Sequence, residues 1–357
     1  MLLGHLMNKK YLKNPKIIYF FYPGDINTKT GGYIYEKNII EYAKSKKLPF
    51  KSKELSSNYP FPLKKDLYEL KQILLGIPIG STLLFDGLIF ECLKILKKDL
   101  SNFKIVALIH HPLYLEFNGK MGLRFLSLEK EMFKIPNKFI VTSKETKKLL
   151  LKKFELNKGL ISVVEPGIER LVKTKKKFNQ KHNLLTCGSI IERKNYLYLL
   201  SELMFMDNLT LNIIGDTSRD NYYYKKVIAF IKKNKIENRV KIHSNVSKNK
   251  LSNLYSQCNL YISVSKYEGF GMSLANAIIF KKPIITYKTT TLRNTLGSKG
   301  VVYFNNFKKN TLAKIINKIL LNTKVFKELE SQIIKNNRVF LTPLKSSKLF
   351  IKEVRNA

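Results

Sequence analysis

The feature that most constrains the fold of this chain is an alternation of short apolar runs with longer amphipathic stretches, which occurs twice along its 357 residues. Short runs rich in Ile, Val, Leu and Phe are typical of strands buried on both faces of a parallel sheet. In the first half such runs fall at 17–22, 82–85, 105–109 and 139–141. Helical spacing falls at 33–46, 86–96 and 143–154.

The second half repeats the pattern and adds a helical tail. Its apolar runs fall at 184–187, 209–214, 240–242, 260–264 and 283–286. Helical spacing falls at 196–204, 222–234, 248–258 and 272–280. Beyond 311 the spacing is continuously helical to about 335, and a last short helix is expected between Pro343, which breaks the pattern, and Ala357.

Strands that alternate with helices predict an α/β chain with parallel sheets. The chain is longer than one hydrophobic core usually serves, so we expect two Rossmann-like domains that face an interdomain cleft. The N-terminal domain is placed at 1–168, a basic linker at 169–183 and the C-terminal domain at 184–337. The last helix, within 338–357, is expected to complete the N-terminal domain, and a hinge is expected at Glu165-Pro166-Gly167.

The charge of the chain is strongly positive, with 65 Lys and Arg against 26 Asp and Glu and a net charge of +39. Two interpretations of this charge are open. One is a compositional bias, because Lys, Asn and Ile are abundant throughout the chain. The other is attraction to an anionic membrane surface. Nucleic acid is not an expected partner, because we find no recognised nucleic-acid module and no basic stripe interleaved with aromatic residues. Nothing in the pattern predicts an oligomeric state.

Three features bear on location. No apolar run approaches the roughly 18 residues that a transmembrane helix needs, and the first residues, MLLGHLMNKK, lack the basic-then-apolar order of a secretory signal. The three cysteines, Cys92, Cys187 and Cys258, are widely spaced and match no metal-ligand pattern, so we expect reduced thiols. The expected location is the cytoplasm, with peripheral attachment to the inner face of the cell membrane as an open alternative.

The segment 265–277, SKYEGFGMSLANA, joins the end of a strand to the start of a helix through a turn that contains glycine. The turn is 268–271, Glu-Gly-Phe-Gly, and the helix starts at Met272. Glycines let a backbone approach a ligand closely, and a helix N-terminus presents unpaired N–H groups to an anion. Glu268, at the mouth of the turn, is placed to accept hydrogen bonds from sugar hydroxyls.

A second segment, 188–195 or GSIIERKN, follows the first strand of the C-terminal half. It places Arg193 and Lys194 side by side near the carboxyl end of that strand. A departing nucleotide diphosphate develops negative charge as the bond to its sugar breaks, and fixed cations beside it stabilise that charge. The pair therefore favours chemistry on a diphosphate.

Both segments resemble those of the retaining glycosyltransferases of family 4, which have the two-domain GT-B fold. The resemblance covers nearly the whole chain and is strongest over 184–286. It implies a nucleotide-diphosphate sugar as co-substrate, with Glu268 on the sugar ring and Arg193 and Lys194 on the diphosphate as catalytic residues. The remaining donor contacts that it implies are Gly188, Ser189, Gly269, Phe270, Gly271, Met272, Ser273 and Asn276.

Two positions depart from the family pattern. A second glutamate usually follows eight positions after the first and holds the ribose hydroxyls, and here that position is Asn276. An amide donates and accepts hydrogen bonds without charge. An arginine usually follows the glycine of the second segment, and here Ser189 stands there, so Arg193 is expected to supply the guanidinium. These departures leave the nucleotide identity open.

The first half supplies the other wall of the cleft. Gly31 and Gly32, between the first strand and the first helix, resemble the family's glycine loop near the donor phosphate and the acceptor. His110 and His111 follow a buried strand, where a side chain faces the cleft and hydrogen-bonds a donor hydroxyl or steers an acceptor. The family has one histidine about here, so His110 is favoured as catalytic, with His111 and Glu116 as substrate contacts.

No Asp-x-Asp pair occurs in the chain. The other major transferase fold uses that pair to hold a divalent cation on the diphosphate, so we expect no metal here and no cofactor beyond the nucleotide sugar. The resemblance implies that the anomeric configuration is retained.

The acceptor stays open. Helix-forming segments at 123–133 and 144–154 carry lysines beside leucines and phenylalanines. Core packing explains each segment taken separately, but together with the net charge they favour a lipid-linked acceptor on an anionic membrane. Diacylglycerol, a polyprenyl-linked sugar and a lipopolysaccharide core are the options. A GT-B nucleotide-sugar epimerase and a non-catalytic nucleotide-sugar binder are the alternative functions.

Overall fold

The computed structural model describes residues 17–90, 93–117, 119–175, 182–206 and 208–357. Two parallel sheets of six strands, each flanked by helices, account for most of this chain. The predicted α/β fold with two Rossmann-like domains is therefore confirmed. Cys92 and part of the predicted linker, 176–181, lie outside the described residues.

The N-terminal sheet has the strand order β2-β1-β3-β4-β5-β6. The strands are β1 (Ile18–Pro23), β2 (Phe50–Leu55), β3 (Thr82–Asp86), β4 (Lys104–Ile109), β5 (Lys138–Val141) and β6 (Ile161–Val163). The helices are α1 (Gly31–Ser45), α2 (Lys64–Leu75), α3 (Gly87–Phe90), α4 (Lys97–Leu100), α5 (Gly119–Met132) and α6 (Lys144–Phe154). From β1 the chain adds β2 on one side and then β3 to β6 on the other side, so the topological switch point lies between the parallel strands β1 and β3.

The C-terminal sheet has the strand order β12-β11-β10-β7-β8-β9. The strands are β7 (His182–Cys187), β8 (Leu209–Ile214), β9 (Val240–His243), β10 (Leu260–Ser263), β11 (Ile284–Tyr287) and β12 (Val301–Phe304). The helices around this sheet are α7 (Tyr196–Leu203), α8 (Asn221–Lys233), α9 (Lys248–Gln257), α10 (Met272–Ile279), α11 (Thr290–Leu296), α12 (Thr311–Leu321) and α13 (Thr323–Ile334), and they are followed by α14 (Pro343–Arg355). From β7 the chain adds β8 and β9 on one side and then β10 to β12 on the other side, so the switch point of this sheet lies between β7 and β10.

Each sheet is buried on both faces, which explains why its central strands are almost wholly apolar. In β1, for example, Phe20 packs on one face with α1 and Phe21 on the other face with β3. The switch points between β1 and β3 and between β7 and β10 open crevices at the carboxyl ends of the strands. Open α/β sheets bind their ligands at such points.

The last helix, α14, packs on the N-terminal domain. Phe350 and Ile351 are buried in the same cluster as Tyr35 of α1, with the Phe350 and Tyr35 rings 5.8 Å apart and edge to face. Ser346 Oγ donates to the carbonyl of Glu165 at 2.6 Å, and Lys138 pairs with Glu353 at 2.7 Å. The chain therefore returns to the first sheet after completing the second.

Six elements were not predicted: β2, α2, α4, β6, α11 and β12. The edge strand β2 has the sequence FKSKEL, whose polar side chains face solvent, so it carries no apolar run. The single helix predicted over 311–335 is wrong, because Asn322 ends α12 and its side chain accepts from the N–H groups of Lys324 and Val325 to start α13. The helix predicted over 86–96 is also wrong, since α3 covers only four residues and a 3₁₀ turn occupies 93–96.

Among the described residues, no helix combines the length and the apolarity required to cross a bilayer.

Replacement of Phe350 by alanine tests the contribution of α14 to the N-terminal domain. Because Phe350 is fully buried, we expect Phe350→Ala to lower the free energy of unfolding by about 3–5 kcal/mol. Leu349→Ala, at the 44% exposed neighbouring position, is the control and should change it by less than about 0.5 kcal/mol. Equal effects of the two variants in urea titrations would show that α14 is not docked.

Candidate active site at the domain junction

The carboxyl ends of both sheets meet, and their switch points lie opposite each other. The turn after β1 and the turn after β4 belong to the N-terminal domain. The turns after β7 and β10 belong to the C-terminal domain. Gly269, after β10, lies so close to the carbonyl oxygen of His110, after β4, that a Cβ there would overlap it. Gly31 approaches Met272, whose Sδ would lie 3.4 Å from a Cβ at Gly31.

The loop after β1 reaches α1 through Thr30, whose side chain caps the helix by accepting from Tyr33 N–H at 3.3 Å. Gly31 and Gly32 form the first turn of α1. A Cβ on Gly32 would lie 3.4 Å from His110 Nε2, so this turn packs against the imidazole ring. The glycine loop and His110 are thus brought together.

The turn after β10 places Glu268 and starts α10. Gly271 has φ +91 and precedes the helix, a conformation that suits glycine, and a Cβ there would also meet Leu292. Phe270 is buried with Ile168. The carbonyl of Ser273 accepts from Tyr255 Oη at 2.8 Å. Because Tyr255 belongs to α9, this hydrogen bond fixes the start of α10 against α9.

The turn after β7 contains the two predicted cations. Lys194 Nζ donates to Glu268 Oε1 at 2.6 Å, and Arg193 lies 3.9 Å from the other carboxylate oxygen of Glu268. The Lys194 side chain runs across Gly188, where a Cβ would lie 2.8 Å from Lys194 Cε. Ser189, which follows Gly188, is buried.

Arg193 also crosses to the N-terminal domain. Its Nε donates to Glu116 Oε2 at 3.2 Å, and its Nη1 donates to the carbonyl of Tyr267. The other oxygen of Glu116 lies 2.5 Å from His111 Nε2. The predicted residues His111, Glu116, Arg193 and Glu268 therefore form one connected network of ionisable side chains across the junction.

Glu129 of α5 holds the turn that carries Glu116. Its carboxylate is fully buried and accepts from Leu113 N–H at 2.7 Å and from Tyr114 N–H at 3.4 Å. Sequence reasoning missed this residue, because an internal glutamate of an amphipathic helix has the appearance of a solvated one.

The charges of the junction stabilise one another. Burial alone would raise the pKa of Glu116, but the Arg193 guanidinium and His111 hold it well below its usual range. Burial likewise opposes ionisation of Glu268, and Lys194 with Arg193 outweighs it, so the pKa of Glu268 is lowered. Burial lowers the pKa of His111 despite the nearby Glu116. At neutral pH both carboxylates are ionised and His111 is neutral.

His110 has two carboxylate partners that sequence reasoning missed. Its Nε2 lies 2.9 Å from Glu36 Oε1 and 3.2 Å from Asp86 Oδ2. Asp86 ends β3 at the switch point, a position that could have identified it. Glu36 had no such signal within its helix. Glu36, Asp86 and His110 each offer a side-chain oxygen or nitrogen atom, and these three atoms all lie within 4.8 Å of one another, which is close enough to surround a metal ion. They form the one such group among the residues that the structure describes. The absence of a metal stays a prediction.

Asn276 lies one turn and a half into α10. Its Oδ1 is buried and has no hydrogen-bond partner among the described residues. An acceptor without a partner costs free energy in the unliganded chain. The amide therefore has a free acceptor at the place where the family pattern has a ribose-binding carboxylate.

Residues 168–340 match the family described as glycosyl transferases group 1. The matched range contains the turns after β7 and β10 and ends before α14, so it covers the C-terminal wall of the junction and just under half of the chain.

A curated relative matches part of the same chain. It is the GtfA subunit of the UDP-N-acetylglucosamine–peptide N-acetylglucosaminyltransferase of Streptococcus agalactiae, 27% identical over 152 residues. The match covers 41% of this chain and 29% of that protein.

Solved structures match nearly the whole chain. Sucrose-phosphate synthase from Thermosynechococcus elongatus has a TM-score of 0.76 at 13% identity, covering 96% of this chain and 98% of that one. Anabaena HepE in complex with UDP-glucose has a TM-score of 0.70 at 16% identity, covering 95% and 99%. At such identities the likeness establishes the fold, which is the GT-B arrangement of two domains.

Replacement of Gly269 tests the close contact between the domains. A methyl group there would overlap the His110 carbonyl, so we expect Gly269→Ala to push the junction apart and to lower the free energy of unfolding by about 1–3 kcal/mol. Hydrogen exchange of the turn 110–116 should accelerate. Gly76→Ala, whose Cβ would come no nearer than 3.6 Å to its neighbours, is the control. Unchanged exchange in Gly269→Ala would show that the domains do not meet there.

Proposed function

We propose that this protein is a retaining glycosyltransferase of family 4 that transfers a sugar from a nucleotide diphosphate to an acceptor hydroxyl. The observation that carries the proposal is the junction itself, where Arg193 and Lys194 are both within reach of Glu268 at the switch point of the C-terminal sheet. Fixed cations beside a carboxylate suit a donor that has an anionic diphosphate and a hydroxyl-rich sugar. The match over 168–340 supports the same reaction.

A UDP-sugar is the proposed donor. The curated relative is named for UDP-N-acetylglucosamine and the HepE structure contains UDP-glucose. The unpartnered Oδ1 of Asn276 supports a ribose contact, since a hydroxyl would donate to it.

The proposed reaction proceeds without a metal. The diphosphate would lie against Arg193 and Lys194, which stabilise the charge that grows as the bond to the sugar breaks. Glu268 would bind sugar hydroxyls once the diphosphate has taken its place on Lys194. The acceptor hydroxyl would attack from the face that the phosphate leaves, with a phosphate oxygen as the proton acceptor, so the anomeric configuration is retained.

The proposed acceptor is linked to a membrane lipid, and the enzyme is proposed to act on the inner face of the cell membrane. Large apolar side chains next to the junction are exposed: Phe61 (47%), Leu63 (54%), Met121 (37%) and Leu123 (69%). Phe61 stacks edge to face on Phe117, 5.6 Å away, and Phe117 directly follows Glu116. Their neighbours in the sequence include Lys64, Lys65, Lys120 and Arg124, and this combination suits an anionic lipid surface.

The segment 144–154, which was also expected to contact a membrane, instead packs its apolar side chains into the core of the N-terminal domain. In α6, Leu150 is fully buried, and Leu151 and Phe154 pack against the same core. The proposed membrane contact therefore rests on α5 and the loop that contains Phe61, and not on α6.

Removal of either partner of the central ion pair tests the proposed reaction. We expect Lys194→Ala and Glu268→Ala each to lower the rate of sugar transfer or hydrolysis from the matching UDP-sugar by roughly 10²–10³-fold. Lys194→Ala should also abolish the rise in melting temperature that UDP produces. Lys94→Ala, which removes a 56% exposed surface lysine, is the control and should leave both properties unchanged.

The outcomes separate the proposed function from its alternatives. Free sugar or an epimer as the sole product would identify an epimerase. Stabilisation by UDP without turnover of any UDP-sugar would identify a binder. Undiminished turnover in both variants would refute the assignment of the site.

Sedimentation with vesicles that contain anionic phospholipid tests the membrane contact. We expect binding at low salt that weakens as salt is added. Binding should fall at least severalfold in the double variant Met121→Ser, Leu123→Ser, because both side chains are exposed on α5. Leu321→Ser, at an 82% exposed position of the C-terminal domain, is the matched control. Absence of binding at low salt would end the proposal.

A further inference from the structure

His110 is held by two carboxylates that are themselves almost inaccessible. The side chains of Glu36 and Asp86 are 1% and 2% exposed, and both lie within hydrogen-bond distance of the same ring nitrogen, Nε2. Glu36 comes from α1 and Asp86 from the end of β3, so two separate elements converge on one atom. The ring itself is 22% exposed and therefore reaches the cleft.

The other neighbours of the ring fix its plane. Gly32 of α1 packs against the Nε2 end, and the Tyr35 ring lies edge to face at 6.0 Å. The His110 carbonyl accepts from Thr142 Oγ1 at 2.9 Å. With Nε2 engaged, Nδ1 is the ring nitrogen without a hydrogen-bond partner among the described residues.

The charged and titratable groups around the ring are Glu36, Asp86, the adjacent His111 and the phenol of Tyr35. Burial would lower the pKa of His110, but hydrogen bonds and charge from Asp86 and Glu36 outweigh it and raise the pKa to about 10. Burial and Asp86 raise the pKa of Glu36, whereas His110 and Glu36 together overcome burial to lower that of Asp86. A neutral Glu36, an ionised Asp86 and a cationic His110 leave the buried cluster without net charge, the arrangement with the least desolvation cost.

We propose that Glu36 and Asp86 are positioning residues for His110, which fix its ring through Nε2 so that Nδ1 is the atom presented to the substrate. An imidazole anchored at one nitrogen donates from the other in a single direction. Given the proposed function, the recipient is an oxygen of the donor, either a sugar hydroxyl or the diphosphate. His110 then supplies a fixed N–H opposite Lys194 and Arg193.

The unmodified protein offers the first test, which is independent of activity. With ¹⁵N-labelled histidine, the His110 ring should show both nitrogens protonated at pH 7.5, and it should lose a proton only near pH 10. The chain has five histidines, so the signal that disappears in His110→Gln assigns it. A neutral ring at pH 7.5, or protonation confined to Nδ1, would overturn the proposal.

The double variant Glu36→Gln, Asp86→Asn tests the effect on catalysis, since it keeps the shapes and removes the charges. The folded pKa of His110 should then fall toward its ordinary value, so the proton is lost as the pH rises through neutrality. We expect kcat for UDP-sugar turnover to be at least tenfold below the unmodified enzyme at pH 8.5, with a smaller deficit at pH 6. The double variant Glu41→Gln, Asp99→Asn neutralises two acids whose side chains are 61% and 28% exposed and that lie outside this cluster. It is the control and should match the unmodified protein.

Three further results would overturn the positioning role. A uniform loss of kcat at all pH values with an unchanged His110 signal is one. A loss that is fully explained by a lower melting temperature is the second. A stoichiometric divalent metal in the purified protein, whose removal by EDTA shifts the His110 signal, is the third. If no UDP-sugar is turned over but His110 is a cation as described, the proposed function fails and the positioning role stands.

Discussion

The junction of the two domains depends on the ionic contacts of one guanidinium. Arg193 belongs to the C-terminal domain, and its nearest carboxylate, Glu116, belongs to the N-terminal domain, with their side chains 9% and 10% exposed. Removal of one member of such a buried pair typically costs about 3–5 kcal/mol, because the partner is left without compensation. Glu268 and Lys194 continue the same network, so the position of one domain fixes the electrostatics of the other.

The same network explains how an anionic substrate is accommodated. Arg193 and Lys194 are already paired with the carboxylates of Glu116 and Glu268, so these two cations are neutralised in the unliganded site although the chain has a net charge of +39. A diphosphate therefore competes with internal carboxylates for donors that are fixed in place. Preorganised donors stabilise developing charge without reorganisation. Glu129 in turn fixes the turn that carries Glu116, and Glu36 and Asp86 fix His110.

The sequence predicted each half of this arrangement better than the whole. Apolar runs located the buried strands, and glycine-containing turns after β7 and β10 identified Glu268 and Lys194, which are 74 positions apart. The pairing of Arg193 with Glu116 could not be predicted, since it depends on how the domains meet. Glu36 was hidden within an ordinary helical pattern. Asp86 was assigned to the start of a helix, whereas it is the last residue of β3. Buried acids are recognised only once the packing around them is known.

A crystal structure of the protein with UDP tests the central claim most directly. We expect diphosphate oxygens within hydrogen-bond distance of Lys194 Nζ and the Arg193 guanidinium, with Glu268 moved away from Lys194 toward the space for the sugar. A complex in which UDP lies elsewhere, while the 2.6 Å contact between Lys194 and Glu268 remains intact, would contradict it.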